Sequence, residues 1–149
     1  MQALLQRVSG ARVAIDGQLT GEIGPGLLVF LGLEPGDDAP AGRALLERVL
    51  KYRVFSDADG RMNLSLRDSG GGLLLISQFT LAADTARGLR PGFSTAMDPA
   101  QAEPLFEELF AYASSVHDPV AGGRFGADMQ VSLTNDGPVT FLLRSRPQA

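Results

Sequence analysis

The sequence predicts an α+β fold, in which mixed β-sheets form a sandwich or a partial barrel and two helices pack on one side. Apolar residues run without interruption over 27–31 and make up all of 73–79 except Ser77 and Gln78, as in strands that are buried on both faces. Two other segments repeat apolar residues at helical spacing, one around 45–50 and one around 105–113. The resulting order of strands, helix, strands, helix and strands lacks the regular alternation of a doubly wound parallel sheet.

Length and composition predict one domain over residues 1–149 and exclude several kinds of site. The 149 residues can bury one core, and the 18 glycines and 9 prolines favour turns around short strands over a helix bundle. Because cysteine is absent, disulfides, thiolate zinc sites and thiol nucleophiles are excluded. The single histidine, His117, excludes any site that needs two, and we expect neither a metal nor a cofactor.

In the first half of the chain, short strands are predicted at 2–8 and 11–15, followed by a hairpin turn at Asp16-Gly17. A helix is predicted to begin at Asp37–Pro40, where an aspartate can cap the free amides and proline loses no needed donor. The other elements predicted here are a turn at 24–26, short strands at 52–55 and 63–66, and a flexible turn at 69–72.

In the second half, residues 82–98 have no clear period and are predicted to form a long loop, a kind of segment that is often functional. Asp98–Gln101 is typical of a capping box that opens a helix, although Pro104 predicts a kink or a late start near Glu103. The remaining predictions are a half-buried strand at 129–133, a turn at 135–138, a last strand at 139–143 and a frayed tail at 144–149.

The charge balance argues against a protein that coats nucleic acid through bulk charge. Thirteen basic side chains against seventeen acidic ones give a net charge of −4. Twelve of the thirteen are arginine, and three of them, Arg87, Arg90 and Arg124, form either a solubilising surface or a local phosphate patch. No signal peptide is visible, and the longest apolar stretch, 27–33, is far shorter than the roughly 18 residues of a membrane span. We therefore expect a soluble, cytoplasmic protein with no membrane partner.

Two polar segments are candidates for chemistry. Ser77-Gln78-Phe79-Thr80 ends a buried strand and could line a site, or the strand could simply stop there. A threonine nucleophile normally needs an adjacent base, and His117, expected in a surface loop, fits no triad spacing. The second segment, Asn135–Pro138, is either an ordinary tight turn or one whose glycine lets a ligand or another chain approach the backbone closely.

Several stretches occur together in an order that points to one family. The clearest are SQFTL at 77–81 and NxGPVT at 135–140. The others are Leu5-Gln6-Arg7-Val8, Thr20–Gly24, Tyr52–Asp57, Met62–Leu64, Asp84–Gly88 and Arg124–Met129. Through these stretches nearly the whole chain resembles the D-aminoacyl-tRNA deacylases of the D-tyrosyl-tRNA(Tyr) deacylase type.

The resemblance implies a homodimeric enzyme that hydrolyses the ester joining a D-amino acid to the 3′-terminal adenosine of tRNA. In the family the Gly-Pro pair, here Gly137-Pro138, is cis and reaches into the pocket of the partner subunit. The catalytic segment, which would line the pocket for the adenosine and the ester, is Ser77, Gln78, Phe79 and Thr80. The other matched positions are Phe125 and Met129, near the adenine, and Arg7, which helps to hold the Gly-Pro loop.

The implied mechanism accounts for the missing catalytic side chains. The family relies on the 2′-hydroxyl of the substrate, while the protein positions the ester and amides near Phe79 and Thr80 stabilise the oxyanion. A covalent role for Thr80 is the alternative, but nothing in the sequence supplies its base. Two other classes of function stay open: a module that binds nucleotide or tRNA ends without hydrolysis, and a structural dimer with Gly137-Pro138 as its clasp.

Selection by chirality follows if the carbonyls of a rigid Gly-Pro loop hold the substrate ammonium. With ammonium and ester both fixed, the enantiomers exchange only side chain and hydrogen, so an L side chain strikes the loop while a D side chain faces open space. A thousandfold rejection needs roughly 4 kcal/mol, which a rigid clash can supply. Glycine has no side chain to clash, so we expect cleavage of glycyl-tRNA as well.

Overall fold

The computed structural model describes residues 1–145 and contains eight strands, three α-helices and one 3₁₀ turn within that range. The strands are β1 (Gln2–Ile15), β2 (Gln18–Ile23), β3 (Gly26–Gly32), β4 (Phe55–Ser56), β5 (Met62–Leu64), β6 (Gly72–Ser77), β7 (Val120–Gly122) and β8 (Gln130–Arg144). The helices are α1 (Ala39–Lys51), α2 (Leu66–Ser69) and α3 (Pro99–Val116), and the 3₁₀ turn is Phe79–Ala82. Each α-helix follows a capping side chain: Asp38, Ser65 and Asp98.

Six of the strands form one mixed sheet in the order β2-β1-β3-β6-β7, with β8 on the other side of β1. The long β1 is antiparallel to β2, β3 and β8, whereas β3, β6 and β7 run parallel. The sheet curls until β2 meets β7, where a Cβ at Gly21 would lie 2.6 Å from the carbonyl oxygen of Gly122. The absence of a side chain permits this approach, and the partial barrel predicted from the sequence is confirmed.

The two faces of the central strands bury separate clusters of apolar side chains. In β3, Leu27, Val29 and Leu31 face the helices, while Leu28 points into the barrel beside Leu74 of β6. The helical side chains that cover the first face are Leu45, Leu46, Val49 and Leu50 of α1 and Ala102, Phe106, Leu109 and Ala113 of α3. Both long helices therefore pack on the same side of the sheet, as predicted.

Several predicted elements of the first half are wrong in detail. Residues 2–8 and 11–15 belong to one continuous strand, whose register shifts between Gln6 and Gly10 rather than breaking. The strand predicted at 52–55 is reduced to the two residues Phe55–Ser56, and the strand predicted at 63–66 ends at Leu64. The unpredicted helix α2 then follows, and the turn predicted at 69–72 is confined to Gly70 and Gly71. A capping box explains the helix, because the Ser65 hydroxyl accepts from the Asp68 amide while the Asp68 carboxylate accepts from the Ser65 amide.

In the second half, α3 begins at Pro99 and not near Glu103. The Asp98 carboxylate accepts from the Ala100 amide and its carbonyl from the Ala102 amide at 2.8 Å, so the helix is fixed ahead of Pro104. The strand predicted to reach Phe79 ends at Ser77, where the 3₁₀ turn follows.

His117 ends α3 and is half-buried, rather than lying in a free surface loop. Its Nε2 lies 2.8 Å from the carbonyl oxygen of Gly71, so the ring ties the end of α3 to the start of β6. None of the helices among residues 1–145 is both long enough and apolar enough to cross a membrane.

The turn predicted at 135–138 and the strand predicted after it lie within the single strand β8, which continues through Arg144. Part of the predicted frayed tail is therefore ordered: the Arg144 carbonyl accepts from Arg48 at 2.6 Å, and the Ser145 amide donates to Met1 at 3.0 Å. The rest of that tail, residues 146–149, lies outside the described residues.

Glu47 on α1 connects the three helices through its carboxylate. It accepts a hydrogen bond from the Tyr112 hydroxyl at 2.7 Å, and it pairs with Arg67 at 3.3 Å and with Lys51 at 3.2 Å. These contacts, the Tyr112 hydrogen bond foremost, lower the pKa of Glu47 from 4.5 to about 2. The charged form is therefore the one that holds the helices together.

Glu47→Gln is expected to destabilise the protein by about 1 kcal/mol at pH 7, less than the pKa shift alone implies because solvent screens the pairs. Since folding lowers the pKa of Glu47 to about 2, the contribution is complete above about pH 4.5 and is lost as the pH falls through about 2. Urea denaturation at pH 7 and at a series of lower pH values measures this contribution. The difference in unfolding free energy between wild type and variant should shrink as the pH falls.

Glu108→Gln is the matched control, because Glu108 pairs with Arg43 across the same two long helices at 3.4 Å but stays exposed. It should change stability by less than half as much. An equal loss in both variants, or a difference that does not shrink with pH, would contradict the role given to Glu47.

Candidate active site

A cavity of about 590 Å³ opens at the end of the barrel where β3 and β6 finish. Its walls come from the barrel, from the segment after β6, from the long loop before α3 and from the segment after β7. The lining residues are Phe30, Leu31, Leu33, Ile76, Ser77, Gln78, Phe79, Phe93, Ser94, Ala96, Met97, Asp98, Pro99, Ala102, Phe125, Gly126, Ala127, Met129 and Val131. Most of them are apolar or aromatic, as in sites that bind small organic ligands.

The segment 77–80 forms one wall because parallel pairing carries it to the cavity. The Gln78 amide donates to the Leu31 carbonyl at 2.8 Å, which extends the β3–β6 register by one residue before the chain turns. Ser77, Gln78 and Phe79 line the cavity, and Phe79 is 57% exposed at its mouth. Thr80 lies beside the cavity, and its hydroxyl accepts a hydrogen bond from the Gln78 side-chain amide.

The 3₁₀ turn leaves backbone donors at its start. The first hydrogen bond within the turn runs from the Leu81 amide to the Gln78 carbonyl at 3.2 Å. The amides of Phe79 and Thr80 come before this bond and so have no hydrogen-bond partner within the turn. Two backbone N–H groups without a partner in the turn therefore lie within segment 77–80.

Phe125 and Met129, both half-buried, form another part of the cavity wall. The Phe125 ring packs against Phe106 of α3 with centroids 6.1 Å apart, which joins this wall to the core. Met129 packs against the residues that fill the barrel. The structure thus brings together five of the residues predicted for the site: Ser77, Gln78, Phe79, Phe125 and Met129.

The long loop, a segment that the sequence marked as a functional candidate, supplies a further wall, but the residues that form this wall were not predicted. Its anchors are the Met97 amide, which donates to Leu33 at 3.0 Å, and the Thr95 hydroxyl, which donates to Ala82 at 2.7 Å. They place Phe93 at the cavity mouth, where its ring lies 5.2 Å from that of Phe79. An aromatic residue in a long loop without apolar periodicity was a signal that this loop could bind a ligand, but the place of the Phe93 ring depends on the two anchors.

The Gly-Pro segment bulges out of the edge strand β8. Val8 pairs with Asn135 and Gln6 with Thr140, so the four residues 136–139 lie opposite the single residue Arg7. The peptide bond between Gly137 and Pro138 is cis, and both residues are exposed. Pairing with β1 on either side thus makes residues 136–139 a projecting loop with a fixed base.

Two side chains tie the base of this loop to the sheet. Arg7 donates through Nε to the Asp136 carbonyl at 2.8 Å and through Nη1 to the Val54 carbonyl at 2.6 Å. Asn135 accepts from the Val139 amide at 2.6 Å and donates to the Val139 carbonyl and the Thr140 hydroxyl, each at 3.1 Å. Gly137, Pro138 and Arg7 do not line the cavity of their own chain.

Arg87 and Arg90 are exposed on a finger of the long loop whose base is a pair of backbone hydrogen bonds between Asp84 and Gly92, at 2.8 and 2.9 Å. Within residues 1–145, no cluster of three or more histidine, cysteine, aspartate or glutamate side chains could hold a metal ion. Asp98 is the only ionisable residue of the cavity lining, and its carboxylate caps α3.

The family model described as D-Tyr-tRNA(Tyr) deacylase matches residues 4–144. The chain belongs to the D-Tyr-tRNA(Tyr) deacylase family. It is 61% identical over 145 residues to the D-aminoacyl-tRNA deacylase of Azotobacter vinelandii, covering 97% of this chain and 100% of that one. It is 62% identical to the D-aminoacyl-tRNA deacylase of Xanthomonas campestris pv. campestris, covering 97% and 99%.

This deacylase-family chain is also similar to the solved structure of the c-Myc DNA Unwinding Element Binding Protein, with a TM-score of 0.93 and 35% sequence identity. The likeness covers 99% of this chain and 100% of that one. Segment 77–80, the Gly-Pro loop and the cavity therefore lie within a fold that is shared over its full length.

Proposed function

We propose that the cavity binds the 3′-terminal adenosine of D-aminoacyl-tRNA and that the protein hydrolyses the ester by positioning it, with help from the substrate's 2′-hydroxyl. Membership of the family, at about 60% identity to D-aminoacyl-tRNA deacylases, makes the chain an ester hydrolase acting on D-aminoacyl-tRNA. Aminoacyl-tRNA is used in the translating cytoplasm, where we place the reaction.

The observation that carries this mechanism is a cavity with an aromatic wall and no uncommitted base. Phe125 and Met129 offer apolar surfaces to the adenine. Facing them, Ser77–Phe79 would meet the ribose and the ester. Because the Asp98 carboxylate already caps α3, the cavity lining would act by positioning the substrate and by offering backbone N–H groups, and not by transferring a proton.

Amides at the start of the 3₁₀ turn are suited to the charge that develops on the ester oxygen. The N–H groups of Phe79 and Thr80 precede the first internal hydrogen bond of the turn. Preorganised donors of this kind are worth about 2.7–4 kcal/mol each in acyl transfer. A nucleophilic Thr80 is less well supported, since its hydroxyl is bonded to the Gln78 side-chain amide, which cannot accept a proton.

Selection of the D enantiomer is assigned to the Gly137-Pro138 loop of a second copy of the chain. The loop projects from an edge strand and does not reach the cavity of its own chain, which fits insertion into a partner's cavity in a homodimer. Its carbonyls would capture the substrate ammonium, and an L side chain would then strike the loop. Such rejection requires a rigid loop, and the hydrogen bonds of Arg7 and Asn135 fix its base.

Chelator-treated protein is expected to hydrolyse D-Tyr-tRNA and Gly-tRNA while L-Tyr-tRNA survives. The steric model predicts this order because only the L side chain meets the loop. Release of labelled amino acid from the three substrates measures it, with untreated protein as the control. Intact Gly-tRNA would overturn the steric model, and loss of activity on chelation would overturn the metal-free mechanism. Folded protein that binds tRNA but cleaves none of the substrates would support the binding module.

Gly137→Ala is expected to keep the dimer and to lower D-Tyr-tRNA hydrolysis by about a hundredfold, a typical loss for a misplacement of about 1 Å. A Cβ at Gly137, where φ is +152°, would lie 2.8 Å from the Val139 nitrogen, so the loop must move. Kinetics and light scattering measure the two effects. Gly24→Ala is the control, because a Cβ there meets nothing within 4 Å. A monomeric variant would instead identify the loop as a dimer clasp.

Hybrid dimers test whether the loop acts across the interface. Mixing refolded Gly137→Ala and Gln78→Ala chains leaves one intact site in each hybrid if the loop acts in the partner, so about a quarter of wild-type activity should return. If the loop acts within its own chain, no site is intact and no activity returns. That second outcome would contradict the insertion model.

Replacing both Arg87 and Arg90 with alanine should weaken tRNA binding and flatten its dependence on salt, with a slope smaller by about 1.4–1.8. Both arginines are exposed on the finger beyond the cavity wall, where the acceptor end of a bound tRNA would continue. Binding titrations between low and moderate salt measure the slope. The double variant of Arg12 and Arg61, two exposed arginines elsewhere, removes the same charge and should leave the slope nearly unchanged. Equal slopes in both double variants would exclude the finger.

A further inference from the structure

Phe93 is an aromatic side chain that the proposed chemistry leaves without a role. It lines the cavity but remains 46% exposed, and it belongs to neither of the two buried apolar clusters. Its ring contacts that of Phe79 at a tilt of 54°, so the two rings form an open apolar rim. Such a rim in front of a binding cavity is suited to contact with a ligand that extends beyond it.

The chain leads directly from this rim to the basic finger. Gly92, which closes the base of the finger through its bonds with Asp84, immediately precedes Phe93. At the tip, Leu89 is fully exposed between Arg87 and Arg90. Aromatic rings followed by arginines are the combination by which proteins bind single-stranded nucleic acid, with bases stacked on rings and phosphates near cations.

The size of the cavity sets where the next nucleotide must lie. A volume of about 590 Å³ is in the range of sites for one small ligand, and it suits one aminoacylated nucleoside. A tRNA bound by that nucleoside therefore leaves the cavity at its mouth, with its single-stranded end crossing the rim. We propose that Phe93 stacks on the base that precedes the terminal adenosine and so makes the enzyme prefer polynucleotide substrates. This inference rests on the proposed function.

Substrates of two lengths isolate this contact. Phe93→Ala is expected to lower kcat/KM for D-Tyr-tRNA by about tenfold, equivalent to about 1.4 kcal/mol, mainly by raising KM. The same variant should lose several-fold less activity on 2′(3′)-O-D-tyrosyl-adenosine than on D-Tyr-tRNA, because the nucleoside substrate has no preceding base. A purely structural role for Phe93, or a contact with the amino acid itself, would lower activity on both substrates alike.

Two conservative variants separate stacking from simple apolar contact. Phe93→Tyr keeps the ring and should restore wild-type activity on D-Tyr-tRNA, whereas Phe93→Leu keeps apolar volume without a ring and should behave like Phe93→Ala. Leu19→Ala, an exposed apolar truncation on β2, is the control and should change neither substrate. Full activity of Phe93→Leu on tRNA, or an equal loss of Phe93→Ala activity on both substrates, overturns the proposal. Wild-type protein that cleaves neither substrate would overturn the proposed function itself.

Discussion

The parallel pairing of β3 with β6 is the constraint on which the site depends. Because side chains alternate along a strand, the apolar runs 27–31 and 73–76 bury one row of side chains against the helices and the other row inside the barrel. Their shared register ends at Leu31 and Ser77, and one further bond to Gln78 fixes where the chain must turn. A shift of one residue would exchange both rows and aim Ser77 away from the cavity. The same contacts that stabilise the core therefore determine the position of segment 77–80 at the cavity.

The position of the Gly-Pro loop follows from a different constraint, because β8 is an edge strand of the sheet. Proline cannot donate to a ladder, so it is tolerated on an edge strand or where pairing is interrupted. In β8 the pairing with β1 stops at Asn135 and resumes at Thr140, and the interruption becomes a projection. The side chain of Asn135 substitutes for the lost backbone partners by bonding both the amide and the carbonyl of Val139. A loop held in this way can present backbone carbonyls outward without loosening the strand.

Periodicity predicted the fold class, both long helices and the two central strands, because those features depend on local burial. It failed where a single hydrogen bond decides the outcome. The capping box of Ser65 and Asp68 creates α2 between a predicted strand and a predicted turn, and Asp98 starts α3 ahead of Pro104. The resemblance supplied Ser77–Thr80, Phe125 and Met129 as site residues, but Phe93 could not be found in this way. Its place depends on the long-range anchors of the loop, from Thr95 to Ala82 and from Met97 to Leu33, and no local pattern encodes them.

A net charge of −4 is compatible with a nucleic-acid substrate if recognition is concentrated at one end of that substrate. Bulk attraction scales with the number of phosphates neutralised, and an acidic protein gains little from it. A cavity for one nucleoside gains affinity from apolar contact and stacking instead, which are insensitive to net charge. The acidic groups can then serve other purposes: Glu47 joins the helices, and Asp98 caps α3 at the cavity wall. With its one lining carboxylate used as a cap, the cavity is suited to holding and orienting a substrate, which is what the proposed mechanism asks of the protein.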